Sequence, residues 1–195
     1  MPPFQGVVKH LIIINVIVYV IVHVLLQNQP NIGAEYFVLY NFDSPYFKPI
    51  QLITSMFNHA SPQHLLFNML TLYFLGPMVE SFLGTQKFFI LYFLSGLAAS
   101  VIFFMMTDSY AGLLGASGAI SGVAGAFATM FPNIPLYLMF IPITIKDKYL
   151  VWGGIVLGLL ASLSGRGGNI ANEAHFGGAI MGLLLVLYWH KNNLR

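Results

Sequence analysis

The segment GASGAIS, residues 115–121, places a serine hydroxyl at the point where an apolar sequence becomes helical. Small residues flank Ser117 on both sides, so the backbone can approach a reacting carbonyl and a neighbouring helix can approach the backbone. A serine at the start of a helix often does no more than cap free backbone N–H groups. The residues elsewhere in the chain therefore decide whether Ser117 is a cap or a nucleophile.

The composition is that of a membrane protein. Of the 195 residues, 57% are hydrophobic and 7% are charged, and the mean hydropathy is +0.78, which is too apolar for an ordinary soluble domain. The chain has no cysteine, which excludes disulfides and thiol chemistry. Its net charge of +2 comes from scattered residues. No basic run could follow a phosphate backbone, so nucleic acid is not an expected partner.

Six apolar segments predict six membrane-spanning helices, because backbone polar groups in hydrocarbon must pair within their own segment. The segments cover residues 7–26, 65–79, 88–106, 118–131, 149–163 and 174–189. The predicted fold is an all-α membrane protein, a six-helix bundle that forms one domain over residues 1–195. The long first loop is rich in Tyr and Phe and is expected to lie in the headgroup layer.

The basic residues predict the orientation of the bundle. With six spans both termini share one side, and that side would hold Lys9, Lys87, Lys146, Lys148, Lys191 and Arg195. The positive-inside rule makes this side cytoplasmic. We therefore expect a multi-pass protein of a bacterial inner membrane with both termini in the cytoplasm. The second, fourth and sixth segments then begin at the outer face, and their first residues include His64 and Asn68, Ser117, and His175 respectively.

Small residues recur every four positions on two of these segments. The two stripes consist of Gly118, Gly122 and Ala126 on the fourth segment, and of Ala174, Gly178 and Gly182 on the sixth. Matching stripes of this kind let two helices pack closely. Because the stripes begin beside Ser117 and His175, their docking predicts a hydrogen bond between the two, with the histidine as general base. The alternative is that Ser117 and His175 are only polar residues at the starts of two helices that pack against each other.

His64 and Asn68 are four residues apart and therefore share a helix face. Both can donate hydrogen bonds, and with the Ser117 backbone N–H they could hold the oxyanion of a tetrahedral intermediate. Polar contact between helices is the alternative role. Glu173 is two residues from His175 and projects from another face, so a Ser-His dyad is expected. No metal or other cofactor is expected, because the histidines lack the spacing of metal ligands.

In this arrangement the sequence resembles the rhomboid family of intramembrane serine proteases. HLLFN (64–68) is similar to the family's H-x-x-x-N, GASG (115–118) to its G-x-S-G, and AHFGG (174–178) to its A-H-x-x-G. The resemblance extends from about residue 51 to residue 182. It implies that Ser117 is the nucleophile and His175 the base, and that His64 and Asn68 stabilise the oxyanion.

Two positions depart from the family pattern. Members often carry Trp-Arg in the first long loop, where this chain has Ile50-Gln51, so we expect that anchor to be absent. Many also carry an aromatic residue one turn after the nucleophile, where this chain has Ser121. The small side chain predicts an uncovered face of the His175 imidazole and a roomier pocket beside it.

The resemblance implies a protease that cleaves transmembrane segments of other membrane proteins near their outer ends, through an acyl-enzyme on Ser117. Its expected partners are these substrates and membrane lipid, and the sequence does not define an oligomeric state. A catalytically inactive relative that binds membrane clients is the alternative, followed by a small carrier or channel. Residues 164–172 are glycine-rich and are expected to form a mobile lid, with substrate entry between the second and fifth segments.

Overall fold

A computed structural model describes residues 6–106, 110–137, 144–163 and 171–192. The helices are α1 (Gly6–Val20, continued by the π-helical turn Ile21–Leu25), α2 (Pro30–Phe37), α3 (Gln51–Thr54, followed by the 3-10 turn Ser55–Phe57), α4 (Pro62–Leu83), α5 (Thr85–Met106), α6 (Ser117–Met130), α7 (Asp147–Leu163) and α8 (Ala171–Lys191). The short strands are β1 (Leu39–Tyr40), β2 (Gly112–Leu113), β3 (Pro135–Tyr137) and β4 (Thr144–Lys146).

The six longest helices coincide with the six predicted segments. Among the described residues, three helices are long and apolar enough to cross a membrane, namely Gly6–Leu25, α4 and α5, and α6 is a shorter apolar helix. The fold is therefore a mostly helical membrane protein, as predicted. That all six helices span the membrane stays a prediction. The predicted lid lies outside the described residues except for Ala171 and Asn172, which begin α8.

Helix α4 begins three residues before the apolar run, because polar residues form its first turn. The Ser61 hydroxyl accepts a hydrogen bond from the His64 backbone N–H at 3.2 Å, and Pro62 follows it in the first turn. A side-chain acceptor and an early proline are both favourable at a helix start. This cap places His64 inside the first turn of α4 and fixes where its side chain leaves the helix.

The Glu80 carboxylate joins the other end of α4 to its neighbours. It accepts hydrogen bonds from the backbone N–H groups of Val7 and Val8, at 2.8 and 3.1 Å, and from the Thr85 hydroxyl at 2.9 Å. The first N–H groups of a helix have no partner within it, and a negative charge there is stabilising. Glu80 therefore fastens the starts of α1 and α5 to the end of α4.

Gln51 organises the long first loop from a fully buried position. Its Nε2 donates to the carbonyls of Glu35 and Tyr46, both at 2.9 Å. Its Oε1 accepts from the backbone N–H groups of Tyr40 and Lys48, at 3.4 and 3.1 Å. The Trp-Arg pair is absent, but Gln51 supplies the anchor that we expected this loop to lack.

The first loop is also tied to the chain that precedes Ser117. Strand β1 pairs antiparallel with β2, and the Ser55 carbonyl accepts a hydrogen bond from the Gly115 N–H at 2.9 Å. Non-helical backbone at membrane depth requires partners of this kind. The loop thereby holds the entry to α6 in place.

Candidate active site

Helices α6 and α8 pack with their backbones in contact. A side chain at Gly178 would overlap the Gly118 carbonyl, and one at Gly182 would overlap the Gly122 carbonyl. Only glycine permits so close an approach. The two stripes of small residues seen in the sequence therefore face each other, with Gly118 against Gly178 and Gly122 against Gly182.

This packing brings Ser117, the first residue of α6, to His175, the fifth residue of α8. The Ser117 Oγ lies 2.7 Å from the His175 Nε2. In the tautomer with its proton on Nδ1, the imidazole Nε2 accepts a hydrogen bond from the Ser117 hydroxyl. Ser117 also stands at the start of a helix, where backbone N–H groups are free and the helix dipole favours a negative charge. The arrangement suits a nucleophilic serine with a histidine base.

His64 lies against the backbone of Gly115, two residues before the serine. A Cβ atom at Gly115 would stand 2.8 Å from the His64 Cε1 and 2.9 Å from its Nε2, and the φ angle of this glycine is +122°. Glycine is thus required both by the backbone and by the imidazole. The Ala60 N–H lies 3.5 Å from the His64 Nδ1, and in the tautomer that accepts this long bond the ring proton is on Nε2. The donor nitrogen therefore faces the chain next to Ser117.

Asn68 is placed one turn farther along α4 and is 7% exposed. Its Nδ2 donates to the His64 carbonyl at 3.0 Å, within the same helix. The structure thus brings Ser117 and His175 into direct contact and sets His64 beside the approach to the serine. The Asn68 amide is turned toward its own helix, with a second N–H that this bond does not use.

A cavity of about 350 Å³ adjoins the His175 side chain. Its wall comes from four helices and includes Thr71 and Leu75 of α4, Ser121 and Ala124 of α6, Gly154 and Gly158 of α7, and Asn172 and His175 of α8. Ser121 borders this space, and the expectation that its small side chain makes the pocket roomier stays a prediction. The cavity lies between α4 and α7, the two helices predicted to admit a substrate.

A second cavity, of about 10 Å³, borders Ser117 itself. The hydroxyl-bearing residues Ser55 and Ser100 are part of its wall, together with Gly115. A space of this size holds about one water molecule when polar groups line it. A buried water site can therefore exist beside the serine.

Sequence reasoning passed over Ser55 and His59. The Ser55 carbonyl holds the Gly115 N–H, and the buried His59 ring stands edge-on to the His64 ring. The only sequence signal for His59 was a second histidine five residues before His64. Spacing alone does not separate such a residue from an interfacial histidine.

Comparison with known proteins adds a family assignment for most of the chain. A model of the rhomboid domain matches residues 46–192. The chain is 35% identical over 155 residues to Rhomboid protein 1, mitochondrial, of Saccharomyces cerevisiae, an alignment that covers 73% of this chain and 42% of that protein. It is 28% identical over 148 residues to the Presenilin-associated rhomboid-like protein, mitochondrial, of Homo sapiens, covering 72% and 38%.

A third similar protein is Rhomboid-like protease 3 of Toxoplasma gondii, at 29% identity over 187 residues, which covers 91% of this chain and 66% of that protein. The chain spans about two fifths of the length of the yeast and human relatives. Both of these carry the word mitochondrial in their names. The comparisons therefore do not support the bacterial inner membrane that we expected.

The glycine contact between α6 and α8 predicts a stability difference between two alanine substitutions. Gly178→Ala should force the helices apart, because its methyl group would overlap the Gly118 carbonyl. Overpacking of this kind costs ~1 to 3 kcal/mol, so the thermal unfolding midpoint in detergent micelles should fall by roughly 2 to 12 °C.

Gly153→Ala is the matched control on α7. No heavy atom lies within 4 Å of its added methyl group, and alanine favours a helix over glycine. Its midpoint should equal or exceed that of the parent. Equal midpoints for the two variants would show that the glycine contact is not needed.

Proposed function

Because the chain belongs to the rhomboid family, we propose that it is an intramembrane serine endopeptidase that cleaves transmembrane segments of other membrane proteins. The observation that carries the proposal is the 2.7 Å hydrogen bond between Ser117 Oγ and His175 Nε2. It stands at one end of a helix pair whose backbones touch, so both groups are held rigidly. Two helices that only packed against each other would not require this alignment of the Ser117 hydroxyl and the His175 imidazole.

The first half of the reaction is acyl transfer to Ser117. The His175 Nε2 takes the hydroxyl proton while Oγ attacks the scissile carbonyl carbon and forms a tetrahedral intermediate. The imidazolium then gives this proton to the leaving amine nitrogen as the C–N bond breaks. The product is an ester of Ser117 with the N-terminal part of the substrate.

The oxyanion of the intermediate is stabilised from two directions. On one side, the free backbone N–H groups at the start of α6 include that of Ser117. On the other, His64 presents its Nε2–H, and the second N–H of the Asn68 amide comes within reach when this side chain turns from its helix. The backbone N–H of Ser117 and the His64 ring are in place before the reaction, so they lower its barrier without reorganisation.

The second half of the reaction hydrolyses the ester. The cavity of about 10 Å³ beside Ser117 has room for the one water molecule that this step consumes. His175 takes a proton from the water as the oxygen attacks the acyl carbon, and returns it to Ser117 Oγ when the ester bond breaks. The serine and the imidazole are then restored.

Substrates enter sideways between α4 and α7. The cavity of about 350 Å³ leads from this gap to His175. Helix α7 contributes Gly154 and Gly158 to its wall, and no heavy atom lies within 4 Å of a Cβ atom built at Gly154. Because α6 and α8 are predicted to begin at the outer face, a segment that reaches Ser117 is cut near its outer end.

Substitutions at Ser117, His175 and Asn68 test this function most simply. Ser117→Ala and His175→Ala should each abolish cleavage of a model transmembrane substrate in proteoliposomes, because each removes a group that takes part in bond making. Asn68→Ala should be milder, with kcat lowered ~10²- to 10³-fold, the usual effect of removing one oxyanion donor.

The control for these three variants is Ser81→Ala, at an exposed serine of α4 whose hydroxyl donates to the Met78 carbonyl. It should cleave at the parent rate. Cleavage by purified Ser117→Ala at the parent rate would end the protease assignment. Substrate binding without cleavage by the parent would favour the inactive, client-binding relative.

The cavity beside His175 predicts that a ring is tolerated at position 121. Ser121→Tyr should fold and should retain or improve cleavage, because a phenol there fills part of the empty space and covers the imidazole face. The measurement is kcat/KM on the same model substrate, with Ser121→Ala as the comparison. A well-expressed but inactive Ser121→Tyr, beside a Ser121→Ala that behaves like the parent, would mean that this space is needed for the substrate.

A further inference from the structure

His59 is completely buried, five residues before His64. The centroids of the two imidazole rings are 5.0 Å apart and their planes meet at 71°, an edge-to-face pair. Neither ring nitrogen of His59 has a hydrogen bond of normal geometry. Leaving a buried polar group without a partner costs ~1 to 3 kcal/mol. A hydrophobic side chain would avoid that cost, so the position calls for a functional explanation.

The backbone of His59 is fixed by the first loop. Its N–H donates to the Asn58 Oδ1 at 2.9 Å, and the Asn58 Nδ2 donates to the Phe37 carbonyl at 3.0 Å. Four residues before His59, the Ser55 carbonyl holds the Gly115 N–H. The segment of residues 55–59 therefore contacts both the His64 ring and the chain that leads into Ser117.

We propose that His59 is a positioning residue that holds the His64 imidazole against Gly115, with its Nε2–H directed toward the oxyanion. The proposal deepens the protease function proposed above and rests on it for its effect on rate. The edge-to-face contact restricts rotation of the His64 ring, which the long Ala60 bond to Nδ1 alone would hold only weakly. Misplacement of a reacting or stabilising group by ~1 Å can cost about a hundredfold in rate.

Burial suits His59 to this role. Loss of water around the ring lowers the pKa of His59 to about 4, with smaller contributions in the same direction from His64 and His23, while the Phe57 carbonyl opposes the shift. The ring is therefore neutral at neutral pH. A neutral neighbour supports the His64 ring without adding a positive charge beside it.

Three substitutions separate the ring contact from simple filling of space. His59→Ala removes the ring, His59→Gln keeps a polar side chain without a ring, and His59→Phe keeps a ring edge without nitrogen atoms. We expect kcat to fall about 10- to 100-fold in His59→Ala and His59→Gln with little change in KM. His59→Phe should stay within about threefold of the parent. His10→Ala, at an exposed histidine of α1, is the control and should match the parent.

A second readout does not depend on catalysis. Nitrogen-15 NMR of labelled histidine in lipid nanodiscs reports the tautomer of His64, assigned by its loss in His64→Ala. The parent and His59→Phe should show one Nε2–H form, and His59→Gln should show a mixture of tautomers. If the parent cleaves nothing, the protease function fails while this spectrum still decides the role of His59. If His59→Ala does not fold, His59→Gln replaces it. Parent values of kcat and an unchanged His64 tautomer in His59→Gln would overturn the proposal.

Discussion

The close contact between the backbones of α6 and α8 is the constraint on which the site depends. Lipid tails are as apolar as the side chains of a helix, so two helices in a membrane gain little from burying apolar surface. They gain instead from van der Waals contact and from Cα–H groups directed at carbonyls, which require that side chains be absent. The Gly118–Gly178 and Gly122–Gly182 pairs meet this requirement. Ser117 directly precedes Gly118 and His175 lies one turn before Gly178, so the two residues meet at this end of the contact.

The first loop supplies a second frame around the same point. Gln51 gathers the loop through four backbone hydrogen bonds, and the segment that follows it reaches Gly115 through Ser55. The loop therefore has a structural role next to the serine. It supplies hydrogen-bond partners to the non-helical segment that precedes α6, whose backbone groups would be unpaired in membrane surroundings. Ser117 borders a small cavity at this point.

Local patterns in the sequence were sufficient to predict the helices, because hydropathy can be read from each segment alone. They were also sufficient to predict the Ser117–His175 contact, because the four-residue spacing of small residues shows which two helices pack closely. The start of α4 was placed three residues too late because Pro62, Gln63 and His64 are not apolar, so hydropathy does not count them as part of the helix. The roles of Gln51 and His59 depend on partners brought together by the loop fold. The turn of the Asn68 amide toward the His64 carbonyl is a choice between rotamers, which spacing does not encode.

The central claim is that this packing creates an activated serine within a membrane protein. The most direct measurement is to treat the protein in its membrane with a fluorophosphonate and to map the modified peptide. The account predicts an adduct on Ser117 that disappears in His175→Ala, because the hydroxyl reacts only when the imidazole takes its proton. Modification of a different serine, or undiminished labelling of Ser117 in His175→Ala, would contradict it.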